Sequence, residues 1–128
     1  MLDAPPVGLR FMIVDDEILV ALDLECMLID LGHSVVATAN RVEQGMEIAR
    51  HGDFDMAILD INVRGNLSFP IATILQDRGV PVIFASGYGP KGLIAGFFDA
   101  HVLTKPFASF GLAQTVERVR ADCARLPH

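Results

Sequence analysis

RFMIVDDE, at residues 10–17, is the stretch of sequence that decides the fold. Its centre is a short, uninterrupted apolar run with β-branched members, which is typical of a strand buried on both faces. Comparable strand-like runs begin at Ser34, Met56, Val80 and Val102, and segments with helical periodicity lie between them. We therefore expect an α/β fold with a doubly wound, five-stranded parallel sheet in the order 2-1-3-4-5.

The element boundaries are predicted from capping and turn residues. Gly32 is expected to end the first helix, Asn40 to cap the second, and Pro70 to open the third. The five predicted strands cover residues 10–14, 34–38, 56–59, 80–84 and 102–103. The predicted helices cover residues 17–31, from the cap at 40 to 51–52, 70–79, 93–98, and a last segment whose apolar positions run from 112 to 123.

The length and charge of the chain restrict its function class. A chain of 128 residues suits one domain with its own core and is too short for two. We expect a flexible N-terminal tail over residues 1–8, one domain over 9–125 and no output domain. A net charge of −6 disfavours nucleic-acid binding. With no apolar run of about 18 residues and no signal-peptide pattern, we expect a cytoplasmic protein without a membrane partner.

Polar residues stand at the carboxyl ends of the predicted strands, where open α/β sheets bind their ligands. In chain order they are Asp15 and Asp16, Asp60, Ser86 and Lys105. Strands one and three are neighbours in the expected order, so three carboxylates would converge. A lone polar residue after a strand is usually only a solvated loop residue, but five at matching strand ends predict a site.

Three converging carboxylates repel one another, so either some of them are protonated or a cation joins them. Mg²⁺ fits because it takes oxygen ligands and stays beside phosphate groups. Ser86 would add a hydroxyl and Lys105 a positive charge, and such groups stabilise a phosphoryl group during transfer. Asp60 is the candidate nucleophile because it stands alone on the central strand, and its attack would give an acyl phosphate.

This pattern resembles the receiver domain of two-component response regulators. The resemblance covers residues 9–119, and its motifs are Asp15-Asp16-Glu17, Asp60, Ser86 and Lys105-Pro106-Phe107. It implies the flavodoxin-like (βα)5 receiver fold, with Asp60 as the phosphoacceptor.

The resemblance also implies a role for each site residue. Mg²⁺ would be held by Asp16, Asp60 and the main-chain carbonyl of Asn62, and Asp15 would assist through water. Ser86 would turn toward the phosphoryl group, and Lys105 would pair with the phosphoryl oxygens. The peptide bond between Lys105 and Pro106 would be cis.

By the same resemblance, the chain is identified as a stand-alone signalling switch rather than an enzyme that turns over substrates. A histidine kinase or a phosphotransfer protein would supply the phosphoryl group. The phosphorylated chain would bind a partner protein or act as a phosphorelay intermediate. The partner surface would be formed by the predicted fourth helix, the fifth strand and the last helix.

The sequence departs from the common receiver pattern near its fourth and fifth strands. Val102 stands where receivers commonly carry an aromatic residue that reports phosphorylation. FASGYG, at residues 84–89, is similar to the Phe-Ala-Thr-Gly-aromatic-Gly motif of the FAT GUY receivers, single-domain regulators of alphaproteobacterial stress and sensory pathways. Our hypothesis is that the glycine-flanked Tyr88 loop replaces the aromatic switch; the alternative is that Tyr88 only packs beside the site.

Alternatives remain for the first helix and for the function. The first helix is apolar on more than one face, and we favour a kinase-docking surface over core for the excess. A Mg²⁺-dependent aspartyl-phosphate phosphatase is disfavoured because Asn62 stands where such an enzyme needs a general acid. A non-phosphorylated pseudo-receiver, acting as a binding module, is disfavoured because every expected site residue is present.

Overall fold

The computed structural model describes residues 8–87 and 101–125 of the chain. Seven strands and four helices lie in this part: β1 (Arg10–Val14), α1 (Ile18–Asp30), β2 (Ser34–Ala39), α2 (Val42–His51), β3 (Met56–Asp60), β4 (Asn62–Val63), β5 (Asn66–Leu67), α3 (Phe69–Asp77), β6 (Val82–Ser86), β7 (His101–Thr104) and α4 (Ser109–Arg125). The predicted helix at 93–98 and nearly all of the predicted tail lie outside the described residues. Among the described residues, no helix has the length and apolar character needed to cross a bilayer.

Five parallel strands form the main sheet, as expected, in the order β2-β1-β3-β6-β7. The predicted order 2-1-3-4-5 did not allow for β4 and β5, which form a separate antiparallel hairpin between β3 and α3. The predicted (βα)5 count stays a prediction because its fourth helix falls outside the described residues. The strand order reverses between β1 and β3, and this places the switch point of the sheet at the carboxyl end of those two strands.

Alternate residues of the central strands point to opposite faces of the sheet, and both faces are buried. Phe11 and Ile13 of β1 pack on the face that α1 and α4 cover, together with Leu28 and Val116. Met12 and Val14 of the same strand pack on the other face, which α2 and α3 cover. Burial on both faces explains why β1 and β3 are continuous apolar runs in the sequence.

Several predicted boundaries differ from the structure by one or two residues. Asn40 does not cap α2, because Arg41 occupies the N-cap position and no side chain caps the first turn. The Asn40 N–H donates to the Gln44 side chain at 3.2 Å. β6 runs from Val82 to Ser86 rather than over 80–84. Pro81 lacks an N–H and therefore only accepts, from the Ala57 N–H at 3.1 Å, just before the strand begins. Gly32 ends α1 in the left-handed conformation (φ 93°), which confirms the predicted stop.

The predicted strands and helices leave residues 61–69 as a connecting loop without strands of its own, and that prediction is wrong. Asn62 pairs with Leu67 and Val63 with Asn66, so that a two-residue turn joins β4 to β5. Both turn residues have positive φ, Arg64 at 53° and Gly65 at 81°. Positive φ at both positions is what a type I′ turn requires, one of the two common turns of two-residue hairpins. The sequence signal was weak because only one of the two turn positions is a glycine.

Candidate functional site

Three aspartates meet at the carboxyl ends of β1 and β3. Asp15 and Asp16 follow β1 directly, and Asp60 is the last residue of β3. One carboxylate oxygen from each lies within 4.8 Å of the others, and no other cluster of this kind occurs among the described residues. Asp15 is buried and the other two are partly exposed. The structure therefore brings together the three carboxylates that the strand order predicted.

Lys105 joins two of these carboxylates. Its Nζ lies 3.4 Å from Asp15 Oδ2 and 3.4 Å from Asp60 Oδ2. The backbone N–H of Lys105 donates to the Ser86 carbonyl at 2.8 Å, which ties the end of β7 to the end of β6. The bond from Lys105 to Pro106 is cis, and this confirms the expectation. Three carboxylates and one ammonium group leave a formal charge of two negative units, which a divalent cation would neutralise.

Burial and the neighbouring charges shift the pKa values of Asp60 and Lys105. Burial is the largest cause that raises the pKa of Asp60, to about 6; Lys105 opposes the rise, while Asp15 and Asp16 add to it. Burial alone would lower the pKa of Lys105. Attraction to Asp60 and Asp15 outweighs this effect, so the pKa of Lys105 lies above its ordinary value. The lysine therefore stays charged at neutral pH, and Asp60 is the group whose ionisation is costly.

Backbone amides hold the other two carboxylates. The Glu17 N–H donates to Asp15 Oδ1 and the Arg64 N–H donates to Asp16 Oδ2, both at 2.9 Å. The second bond spans 48 residues and comes from the turn of the β4–β5 hairpin. Sequence reasoning missed Arg64 because a backbone donor leaves no residue-type signal. The Gly65 that follows it was the available hint of a tight turn.

Asn62 lies two residues beyond Asp60, in β4, with its side chain turned into the hairpin. Its Oδ1 accepts the Gly65 N–H at 2.9 Å. The ligand expected from this residue is its main-chain carbonyl rather than its side chain, and that role stays a prediction.

Ser86 is buried at the end of β6. Asp60 pairs with Ala85 across the two strands, so Ser86 lies one residue further toward the acidic edge. Its proposed turn toward a phosphoryl group stays a prediction. Val102 is half-buried on β7 and pairs with Phe84. Tyr88 and its following glycines, which we suggested as a substitute for the aromatic switch, lie outside the described residues.

The residues of the acidic cluster fit a bound Mg²⁺. Oxygens bound to one octahedral Mg²⁺ lie within about 4.2 Å of one another, since each Mg–O distance is about 2.1 Å. The three carboxylate oxygens, within 4.8 Å of one another, need only small side-chain rotations to reach that spacing. Burial is the main cause that raises the pKa of Asp60, so a cation bound beside its carboxylate would offset the cost of keeping that group ionised.

The outer surface of α1 next to this cluster is apolar. Leu19 is 76% exposed and Ile18 is 66% exposed, at the end of the helix nearest the aspartates. On an adjacent side of the helix, Val20 and Met27 line a cavity of about 320 Å³ together with Lys105 and Phe107. Some of the apolar side chains of α1 that do not face the sheet are therefore exposed at the surface.

A family model described as "Response regulator receiver domain" matches residues 11–117. The solution structure of SdrG from Sphingomonas melonis Fr1 is similar at 35% identity and a TM-score of 0.79, covering 89% of this chain and 97% of that one. A second SdrG structure, described as its BeF3-activated conformation and assigned to Pseudomonas melonis Fr1, matches at 36% identity and a TM-score of 0.73, covering 84% of this chain and 92% of that one.

Among curated proteins, the phyllosphere-induced regulator PhyR of Methylorubrum extorquens is 28% identical over 120 residues. That match covers 90% of this chain and 45% of PhyR. The chain spans about half the length of the curated relatives it matches.

Proposed function

This chain belongs to the response regulator receiver domain family, and from that membership we propose that it is a phosphorylation-dependent signalling switch with Asp60 as the phosphoacceptor. One observation carries the proposal: three carboxylate oxygens lie within 4.8 Å of one another, with the Lys105 ammonium 3.4 Å from two of the side chains. The geometry suits a reaction in which the protein mainly positions groups and balances charge.

In the proposed reaction, an Asp60 carboxylate oxygen attacks the phosphorus of a phosphohistidine on the donor protein. The new O–P bond forms as the P–N bond breaks, and the histidine nitrogen leaves with the electron pair. Mg²⁺, held by Asp16, Asp60 and the Asn62 carbonyl with Asp15 through water, would neutralise charge on the phosphoryl oxygens. Lys105 would pair with one of those oxygens and the Ser86 hydroxyl would donate to another.

We expect the acyl phosphate to persist as a signal rather than turn over as in a phosphatase. A phosphatase of this type needs an acid near the nucleophile, and Asn62 is an amide that cannot exchange a proton. Its side chain is also engaged by the Gly65 N–H. The chain would therefore catalyse only its own phosphorylation and dephosphorylation.

The signal would be passed to another protein in the cytoplasm. The described part of the predicted output surface consists of β7 and α4, where the Phe110 side chain is 74% exposed. FASGYG at 84–89 supports membership of the FAT GUY subgroup, and the similarity to SdrG and PhyR is compatible with it. Regulated partner binding and phosphorelay both fit these features.

The test is phosphorylation of the purified chain, read by intact mass. Wild type, Asp60→Asn and a matched control, Asp53→Asn, are incubated with acetyl phosphate, with and without Mg²⁺. Asp53 is an exposed aspartate that pairs with Arg10 at 2.9 Å and takes no part in the acidic cluster. We expect one phosphoryl group on the wild type and on the control, only with Mg²⁺, and none on Asp60→Asn.

A histidine-kinase donor is used if acetyl phosphate gives no product, because receivers differ in their use of small donors. Failure with both donors would reject the proposal in favour of a pseudo-receiver. Unchanged phosphorylation of Asp60→Asn would place the acceptor elsewhere.

A further inference from the structure

Arg64 connects three loops at the acidic edge of the sheet. It lies in the β4–β5 turn that follows β3, its N–H donates to Asp16 Oδ2 after β1, and its Nε donates to the Asn40 carbonyl after β2. The two distances are 2.9 Å and 3.1 Å. A single exposed residue thus holds together the loops that carry or flank the cluster.

The backbone conformation of Arg64 shows what these two bonds do. Its φ of 53° lies in the left-handed region, where residues other than glycine, asparagine and aspartate are uncommon. In that conformation its N–H points at Asp16, and the bond from its guanidinium to the Asn40 carbonyl anchors the turn against the start of α2. The side chain therefore maintains the direction of the backbone donor.

We propose that Arg64 is a positioning residue that orients the Asp16 carboxylate for a divalent cation. The Arg64 N–H donates to one carboxylate oxygen of Asp16. This bond fixes the rotation of the carboxylate and leaves its other oxygen for the ion. Partners of this kind orient metal ligands in protein sites generally. The inference rests on the proposed function only in naming Mg²⁺ as the cation.

Charge and positioning predict opposite results when the guanidinium is removed. Loss of a positive charge near three carboxylates would, by electrostatics alone, strengthen the binding of Mg²⁺. Loss of the anchor would instead free the turn and the Asp16 carboxylate, and so weaken binding. The direction of the change therefore separates the two roles.

The experiment is titration calorimetry of the full chain with MgCl₂. Arg64→Gly is the informative variant because glycine keeps the N–H and favours the left-handed turn, so that the guanidinium is lost, with its anchor and its charge, while the backbone donor remains. Arg64→Lys restores the charge and part of the reach. Arg41→Gln is the control, since Arg41 is exposed, lies next to Asn40 and makes no contact with the cluster among the described bonds. Thermal melts without Mg²⁺ report whether each variant folds.

We expect Arg64→Gly to raise the Kd for Mg²⁺ roughly tenfold, the lower end of what loss of an outer partner costs. Arg64→Lys should recover part of the affinity, and Arg41→Gln should bind as the wild type does or slightly tighter. Faster hydrogen exchange of the amide at position 64 in Arg64→Gly would accompany the weaker binding.

Unchanged or tighter Mg²⁺ binding by folded Arg64→Gly would overturn the inference while leaving the proposed function intact. A wild type that binds no Mg²⁺ would overturn both. If Arg64→Gly binds Mg²⁺ more weakly but Asp60 of the wild type cannot be phosphorylated, the proposed function alone is rejected.

Discussion

Asp60 combines a proposed reactive role with a cost to stability. Its side chain is 14% exposed and lies beside Lys105 and two further aspartates. Burial raises its pKa from 3.8 to about 6, so folding favours the protonated form. Between those two pH values the folded state binds more protons than the unfolded state, and the free energy of unfolding falls as the pH rises. Above pH 6 the full cost of the ionised group is present.

Asp60→Asn is therefore expected to stabilise the metal-free chain at pH 7. The full shift corresponds to about 3 kcal/mol, and partial access of solvent reduces the expected gain to about 1–2 kcal/mol. Urea denaturation at pH 7 and pH 4 measures the gain. Most of it should vanish at pH 4, because Asp60 is then protonated in the folded state and only about half ionised in the unfolded state.

Addition of Mg²⁺ provides the control for this prediction. The ion should raise the melting temperature of the wild type, because it balances the charge of the cluster and binds only the folded state. It should raise that of Asp60→Asn much less, since one ligand is lost. A variant less stable than the wild type at pH 7 would contradict the electrostatic account.

At the scale of elements, α1 serves two purposes. Leu24 and Leu28 are buried against the sheet, while Ile18, Leu19 and Ile29 are exposed. The helix begins at the acidic edge and runs back along the sheet, so Leu19 lies near the acidic cluster and Ile29 lies about 15 Å further along the helix. An exposed apolar patch beside the proposed phosphoacceptor is suited to docking of the proposed donor protein.

Leu19→Asp should reduce kcat/KM for transfer from a histidine kinase that phosphorylates the wild type, by about tenfold, as the loss of one buried interface residue does. Transfer from acetyl phosphate should not change, because a small donor needs no docking surface. Time courses of phosphorylation with both donors measure this.

Ile29→Asp is the matched control, because it places the same charge on an exposed apolar position (54%) at the far end of the same helix. Its transfer rate should equal that of the wild type. Equal losses for both variants, or an unchanged rate for Leu19→Asp, would contradict docking at this end of α1.

At the scale of the whole molecule, one sheet is shared by two cores. Strands β1 and β3 contribute alternate residues to the layer under α1 and α4 and to the layer under α2 and α3. Neither layer can be lost without exposing one face of the same strands. We therefore expect the described part of the chain to unfold as one cooperative unit.

Leu28→Ala tests this cooperativity. Leu28 is fully buried under α1, and its truncation should cost about 2–4 kcal/mol of unfolding free energy. Hydrogen exchange of the slowest amides of α3, on the opposite face, should become faster. The decrease in their free energy of opening should equal the decrease in unfolding free energy that urea denaturation measures. Leu75→Ala, which truncates a side chain of the other core, should likewise make the slowest amides of α1 exchange faster. Unchanged protection of α3 in Leu28→Ala would contradict a single unit.

The sequence alone determined the five parallel strands and the identity of the acidic cluster. Strands buried on both faces must be apolar throughout, so β1 and β3 were visible as runs, with β1 placed without error. Parallel strands deliver their carboxyl ends to one edge, and so the residues following them could be grouped before any coordinates were known. Asp15, Asp16, Asp60 and Lys105 were found in this way.

Only the tertiary structure decided what orients those groups. The β4–β5 hairpin carries Arg64. From there, the bond from Arg64 to Asp16 and the bond from Arg64 to Asn40 join residues 48 and 24 positions apart. Their donors are a backbone amide and a guanidinium that any surface arginine possesses, so nothing in the residue types reveals them. Local sequence records which side chains must be buried or charged, whereas the direction of a backbone N–H depends on the whole chain being folded around it.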